Sequence, residues 1–137
     1  MKKNVVMIAA TLIVSSLVAG CAQTTSSAER NAQNFVYSSY DDFDPNFQTH
    51  KYNSIQSFIP FFEQFWQQGK KDREAGMTQE DAQQRVRDLT SDEFLSSFPR
   101  KSRFAGKVYN ENTTSQWTKA MSEAIYTTYM DGYEGRN

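Results

Sequence analysis

The sequence is poor in the residues that build cross-links and metal sites. Its 137 residues include one cysteine, Cys21, and one histidine, His50. A lone cysteine excludes an intramolecular disulfide, and one histidine without a cysteine pair cannot form a zinc site. No G-x-S-x-G or H-E-x-x-H motif is present to expose a nucleophile or bind a metal. We therefore expect no metal, no cofactor and no catalytic residues, and we predict that the chain is not an enzyme.

Long apolar runs are also scarce. A transmembrane helix needs about 20 apolar residues, but the run over 5–18 is shorter and contains three hydroxyl residues. Two lysines, Lys2 and Lys3, precede this run. A positive start, an apolar run and small residues are the order of a secretory signal peptide rather than of a folded segment.

The end of this segment resembles the lipobox of a bacterial lipoprotein signal. The residues directly before the cysteine are apolar or small: Leu17, Val18, Ala19 and Gly20. In such proteins the thiol receives a diacylglyceryl group, the chain is cut before the cysteine, and the new amine is acylated. The resemblance predicts a cleaved signal over 1–20 and a covalent lipid on Cys21. Ala22 follows instead of aspartate, which by resemblance to enterobacterial lipoproteins predicts sorting to the outer membrane, on either its periplasmic or its surface face.

A short polar tether is expected between the lipid and the domain. Removal of 20 of the 137 residues leaves 117, a size that suits one domain. Residues 21–27 comprise the lipidated cysteine and a small, polar segment, and residues 28–137 comprise the domain. The six residues after Cys21 reach about 20 Å when fully extended. The domain is therefore expected to stay close to its bilayer.

The charge of the mature chain argues against nucleic acid as a direct partner. Loss of Lys2 and Lys3 leaves 13 basic residues against 16 acidic ones, a net charge of −3. Phosphate binding favours a basic face. Ten phenylalanines, seven tyrosines and two tryptophans are present instead. Most of these rings must be buried, and any that are not mark a contact surface.

Helical periodicity dominates the mature chain. One stripe falls at i, i+3, i+4, i+7, i+8 and i+11: Phe58, Phe61, Phe62, Phe65, Trp66 and Gly69. We expect a loop up to Asn53 before this helix, Pro60 in its first turn, and Gly69 at a close helix–helix approach. Similar patterns predict helices over 28–39, after Thr78, before Pro99 and from Trp117 onwards.

No segment alternates as a half-buried strand does, so we predict an all-α single domain of four or five helices with no sheet. Residues 99–112 are expected to be mostly loop. This loop contains a positive cluster, formed by Arg100, Lys101 and Arg103. Such a cluster is a candidate for contact with anionic headgroups or a partner, or it is a solubilising loop.

Three tyrosines in the last helix form a second candidate partner surface. Tyr126, Tyr129 and Tyr133 are spaced i, i+3, i+7 on a face offset from the apolar stripe. Exposed tyrosines are good contact residues. The partner expected for either surface is an unknown envelope protein.

Three stretches together resemble a known family. They are 58–72, 76–86 and 129–136. With the lipobox, they are similar to a small family of enterobacterial lipoproteins named after the entry-exclusion proteins of colicin-type plasmids. The resemblance implies a non-enzymatic envelope protein that reduces the uptake of related plasmids, and it adds a component of a mating apparatus to the expected partners. Only the role of Cys21 carries over. The alternatives are a structural, peptidoglycan-associated lipoprotein and, less favoured, a peptidoglycan-active enzyme.

Overall fold

The computed structural model describes residues 25–39, 47–98, 101–104, 107–110 and 115–137. These residues form five helices and two short strands, in the order α1 Ser27–Ser39, α2 Phe47–Glu74, α3 Gln79–Leu89, α4 Asp92–Ser96, β1 Lys101–Phe104, β2 Lys107–Asn110 and α5 Ser115–Glu134. The helices confirm the predicted all-α class. The predicted signal segment 1–20 and Cys21 lie outside the described residues. Among the described helices, none is both long and apolar enough to cross a membrane.

Helices α1, α2 and α5 enclose the main core. Phe35 of α1, Phe62 of α2 and Ile125 of α5 are almost completely buried. The Phe35 ring meets Phe58 at a centroid distance of 4.7 Å, and it meets both Phe62 and Trp117 at 5.9 Å, each edge to face. Each such pair adds about 0.5–1.5 kcal/mol beyond the burial of its area. The aromatic stripe of α2 is therefore mainly core.

Helix α1 runs antiparallel to α5. Ser27, at the start of α1, contacts Asp131 near the end of α5, whereas Phe35 contacts Trp117 near its beginning. Trp117 and Asp131 are about 21 Å apart along the helix axis at 1.5 Å per residue. The two ends of the bundle are therefore well separated, and each can be assigned its own residues.

Helix α3 covers a second part of α5. Ala82 and Val86 of α3 are fully buried, and they form one apolar cluster with Tyr129, Met130 and Tyr133. This packing places α3 on the face of α5 that the sequence assigned to a partner. The helix pair α2–α3 is thus folded back against α5 along its C-terminal half.

The predicted use of Gly69 is confirmed. Helices α2 and α5 cross at Gly69 and Gly132, and each glycine faces the backbone of the opposite helix. A Cβ atom on Gly69 would lie 2.8 Å from the amide nitrogen of Tyr133, and one on Gly132 would lie 2.9 Å from the Cα of Trp66. No ordinary side chain fits at either position without moving a helix.

Helix α2 begins earlier than predicted. The expectation of a loop up to Asn53 is wrong, because α2 starts at Phe47 and Pro60 lies inside it. Pro60 cannot donate to the Gln56 carbonyl, which costs about 3 kcal/mol in a helix interior. Both residues are exposed, so water reaches the freed carbonyl. Burial of the aromatic stripe on the opposite face keeps the helix continuous.

The helix ends have capping hydroxyls and a terminating glycine. The Ser26 hydroxyl accepts a 3.2 Å hydrogen bond from the Glu29 amide, and the Thr78 hydroxyl accepts one of 3.2 Å from the Asp81 amide. Gly76 has φ +80°, the left-handed conformation that terminates α2. These caps confirm the first turns of α1 and α3.

The predicted absence of a sheet is wrong over 99–112. Strands β1 and β2 pair antiparallel, with Lys101 opposite Asn110 and Phe104 opposite Lys107. Each strand has four residues, too few to show clear alternation. Of the predicted positive cluster, Lys101 and Arg103 lie in β1, and Arg100 lies outside the described residues.

Candidate interaction surface

The tyrosines of α5 do not form the exposed surface that their spacing suggested. Tyr129 is 0% exposed and Tyr133 is 3% exposed, and only Tyr126, at 40%, reaches solvent. The reason is α3, whose Ala82 and Val86 cover the offset face of α5. The prediction of a partner surface made of all three tyrosines is therefore wrong for Tyr129 and Tyr133.

Tyr129 instead forms part of a buried polar cluster between α2, α3 and α5. Its hydroxyl donates a 2.6 Å hydrogen bond to Asp72, which also accepts bonds from Gln68 at 2.8 Å and Arg85 at 3.1 Å. Burial and the adjacent Asp72 carboxylate raise the pKa of Tyr129 well above its ordinary value. The Tyr129 hydroxyl therefore stays protonated and acts as a hydrogen-bond donor. The cluster links α2, α3 and α5.

Asp131 joins the start of α1 to the end of α5. Its buried carboxylate accepts hydrogen bonds from Ser27 at 2.7 Å, from Arg30 at 3.2 Å and from Arg136 at 2.9 Å. The backbone amide of Arg136 also donates to the Asp131 carbonyl at 2.8 Å. The last residues of the chain are thereby turned back onto α1.

Arg30 fixes both described ends of the chain at one end of the bundle. Its Nη1 donates to the Thr25 carbonyl at 2.8 Å and to Asn137 at 2.7 Å. We call this end the tether pole, formed by Thr25, Arg30, Asp131, Arg136 and Asn137. The predicted tether, over 21–27, therefore joins the domain beside Arg30 and Asp131.

A different pair of tyrosines is exposed away from the tether pole. Tyr37 of α1 is 52% exposed and Tyr52 of α2 is 68% exposed. Between them, the Lys51 ammonium lies 4.7 Å from the centre of the Tyr37 ring, a cation–π contact. Tyr37 is about 15 Å along α1 from Ser27. We call Tyr37, Lys51 and Tyr52 the tyrosine patch.

The tyrosine patch borders an open groove between α1 and α2. The groove has a volume of about 330 Å³. Its lining combines aromatic, aliphatic and hydrogen-bonding side chains: Glu29, Gln33, Tyr37, Lys51, Tyr52, Ile55 and Gln56. Tyrosine and a few polar groups around a shallow concavity are typical of a protein contact surface. The groove and the tyrosine patch are therefore suited to contact with another protein.

Sequence reasoning missed the tyrosine patch for identifiable reasons. Tyr52 falls in the segment that was expected to be loop, so its position beside α1 could not be deduced. Tyr37 follows Phe35 and Val36, which are buried, and the α1 stripe already places Tyr37 on the opposite face. The position of Tyr37 opposite the apolar stripe of α1 was therefore the sequence signal that its ring is exposed.

A larger groove borders the tether pole. Its volume is about 510 Å³, and its lining contains charges of both signs: Lys70, Arg73, Glu74, Gln79, Gly132, Tyr133, Glu134 and Gly135. Within the described ranges, no group of three histidine, cysteine or acidic side chains is placed to hold a metal ion. The expectation that the protein uses no metal stays a prediction.

Comparison with known proteins adds no relative to this description, because no family model, no curated protein and no solved structure matches the chain.

Proposed function

We propose that the protein is an outer-membrane-anchored lipoprotein that acts as a non-enzymatic interaction protein. Its lipid is carried on Cys21, and its partner is another envelope component that binds at the tyrosine patch. The biological outcome proposed, from the resemblance to entry-exclusion lipoproteins, is reduced uptake of related plasmids.

The observation that carries this proposal is the exposure of Tyr37 and Tyr52. Tyr37 and Tyr52 lie together beside one groove, and neighbouring aromatic rings at solvent are typical of a contact surface, whereas most other described rings are packed in the core. Tyr37 of the patch lies near the end of α1, about 10 Å along the helix from Arg30 of the tether pole. A short tether would therefore hold one end of the domain near the bilayer and leave the patch accessible.

The experiment is a conjugation assay with isogenic recipient strains. The recipients carry no gene, the wild-type gene, Cys21→Ala, or the double variant Tyr37→Ser, Tyr52→Ser. We expect the wild type to lower plasmid transfer and both variants to restore it to the level of the empty strain. Immunoblots establish that all variants accumulate equally.

Tyr126→Ser is the matched control, because Tyr126 is an exposed tyrosine on another helix. It should exclude plasmids as well as the wild type. Equal transfer into every strain would reject the exclusion role. Retention of the wild-type protein on purified sacculi, abolished by the double variant, would replace it with the structural, peptidoglycan-associated alternative.

A further inference from the structure

We propose that the tether pole, together with Trp66, is a surface that rests on the lipid bilayer. This inference depends on the proposed lipidation of Cys21, and it adds an orientation that anchoring alone does not specify. The occupant of the surface is the headgroup layer of the membrane that holds the lipid. In this orientation the tyrosine patch faces away from the bilayer.

The reach of the tether supports this orientation. Thr25 is four residues after Cys21, so the two Cα atoms are at most about 14 Å apart. The Thr25 carbonyl accepts from Arg30, which in turn binds Asn137 and Asp131. Hydrogen bonds therefore connect the point at which the tether joins the domain to the tether pole, and the tether keeps that pole near the anchored lipid.

Trp66 places an indole beside this attachment point. Its Nε1–H donates a 2.7 Å hydrogen bond to the carbonyl of Arg136, the neighbour of Asn137. The ring is only partly buried, and the Lys70 ammonium lies 5.7 Å from its centre. Tryptophan favours the membrane–water interface because one part of it is apolar and the other donates a hydrogen bond. Lysine accompanies it there because its long stem lets the ammonium reach the headgroups.

The charges of this surface suit zwitterionic headgroups as well as anionic ones. Lys70 and Arg136 remain about half exposed, yet they pair with Glu74 and Glu134. A zwitterionic headgroup carries a phosphate and an ammonium, which complement the basic and the acidic side chains of this surface. Because the surface carries both signs, we expect contact with the bilayer to depend little on salt.

Each end of the bundle has a lysine that pairs with a glutamate one helical turn away. The two lysines can therefore be compared without a mutation in either. Lys70 and Lys119 both form an i,i+4 pair with a glutamate at 4.0 Å, and their side chains are 50% and 78% exposed. Lys119 lies two residues after Trp117, at the beginning of α5. It is therefore remote from the tether pole.

The test is amine labelling of lipidated protein in phosphatidylcholine–phosphatidylglycerol vesicles, whose headgroups have no primary amine, read by mass spectrometry. The reference is the mature chain without residues 1–21 and without lipid, free in solution. We expect vesicles to abolish most labelling of Lys70 and to leave Lys119 unchanged. Equal labelling of the two lysines in both samples, or protection of Lys119 alone, would overturn the proposed orientation.

A second readout uses the two tryptophans. In vesicles with brominated acyl chains, Trp117→Phe protein should lose most of its Trp66 fluorescence, whereas Trp66→Phe protein should keep its Trp117 fluorescence. Equal quenching of both variants would also overturn the orientation. Flotation with the vesicles separates the two proposals: protein that fails to float refutes the anchor, and protein that floats without the Lys70 protection refutes only the orientation.

Discussion

The Ser27 hydroxyl donates a 2.7 Å hydrogen bond to the Asp131 carboxylate, joining residues 104 positions apart in the sequence. The same carboxylate pairs with Arg30 and Arg136 and is almost fully buried. This contact attaches the first turn of α1 to the last turns of α5. It therefore joins Ser27, the last residue of the proposed tether, to the bundle.

Asp131→Asn should destabilise the domain. The substitution removes the charge that both arginines face and leaves a buried amide with fewer acceptors. Hydrogen bonds to charged groups contribute about 1.5–3 kcal/mol, and the partial exposure of the arginines reduces this effect. We expect a loss of about 1–3 kcal/mol in the free energy of unfolding, measured in urea.

Glu134→Gln is the control for this substitution. Glu134 also pairs with Arg136, but it lies at the surface, and exposed pairs contribute about 0–1 kcal/mol. A loss as large for Glu134→Gln as for Asp131→Asn would contradict the central role assigned to the Asp131 carboxylate.

Gly132→Ala should separate α2 from α5. Its Cβ would lie 2.9 Å from the Cα of Trp66, a backbone atom that cannot rotate away. Overpacking typically costs about 1–3 kcal/mol, and here we expect the upper part of that range by urea unfolding. Gly76→Asn should cost far less, since Gly76 has open space around it and asparagine tolerates a positive φ. Unchanged stability of Gly132→Ala would show that the helices do not cross here.

Alkaline pH should weaken the fold through Tyr129. Its pKa is raised by burial and by Asp72, so the folded state keeps the phenol proton that the unfolded chain releases near pH 10. The stabilisation that arises from this difference in the pKa of Tyr129 is fully present below pH 10 and is lost as the pH rises above 10. We expect wild-type protein to lose more stability between pH 9 and pH 11 than Tyr129→Phe protein, by urea unfolding at each pH.

Tyr129→Phe should itself cost about 1–2 kcal/mol at neutral pH. Asp72 then loses one donor but keeps those of Gln68 and Arg85. Tyr126→Phe, at an exposed site, is the control and should change neither quantity. If the two variants have the same pH profile as the wild type, the Tyr129–Asp72 bond does not contribute as described.

The helices could be read from the sequence because their burial is periodic. The stripe from Phe58 to Gly69, the glycine at Gly76 and the cap at Thr78 each have a local physical cause. Gly69 also predicted a contact with another helix. A glycine inside a helix lowers the stability of that helix, and the close approach of a second helix explains why a glycine continues the apolar stripe here.

The remaining features depend on tertiary contacts that no local pattern records. Pro60 favoured a helix start, yet burial on the opposite face outweighs the lost hydrogen bond. Tyr129 and Tyr133 looked peripheral because nothing in their spacing showed that α3 would cover them. The hairpin strands are too short to alternate visibly. The candidate surface at Tyr37 required the position of α2 as well as that of α1.

The role of Cys21 makes the most direct prediction about location. Cys21→Ala removes the acceptor of the lipid and the cysteine before which the chain is cut, so the variant should be lost from the outer-membrane fraction. Ala22→Asp keeps the cysteine and, by resemblance to enterobacterial lipoproteins, should redirect the protein to the inner membrane. Fractionation on a sucrose gradient measures both. An unchanged outer-membrane location of Cys21→Ala would contradict anchoring through this residue.

Mass spectrometry of the protein purified from cell envelopes tests the anchored state most directly. The account predicts a mature N-terminus at Cys21 that carries a thioether-linked diacylglyceryl group and an acylated amine, with residues 1–20 absent. A free Cys21 thiol, or a chain that still begins at Met1, would contradict it.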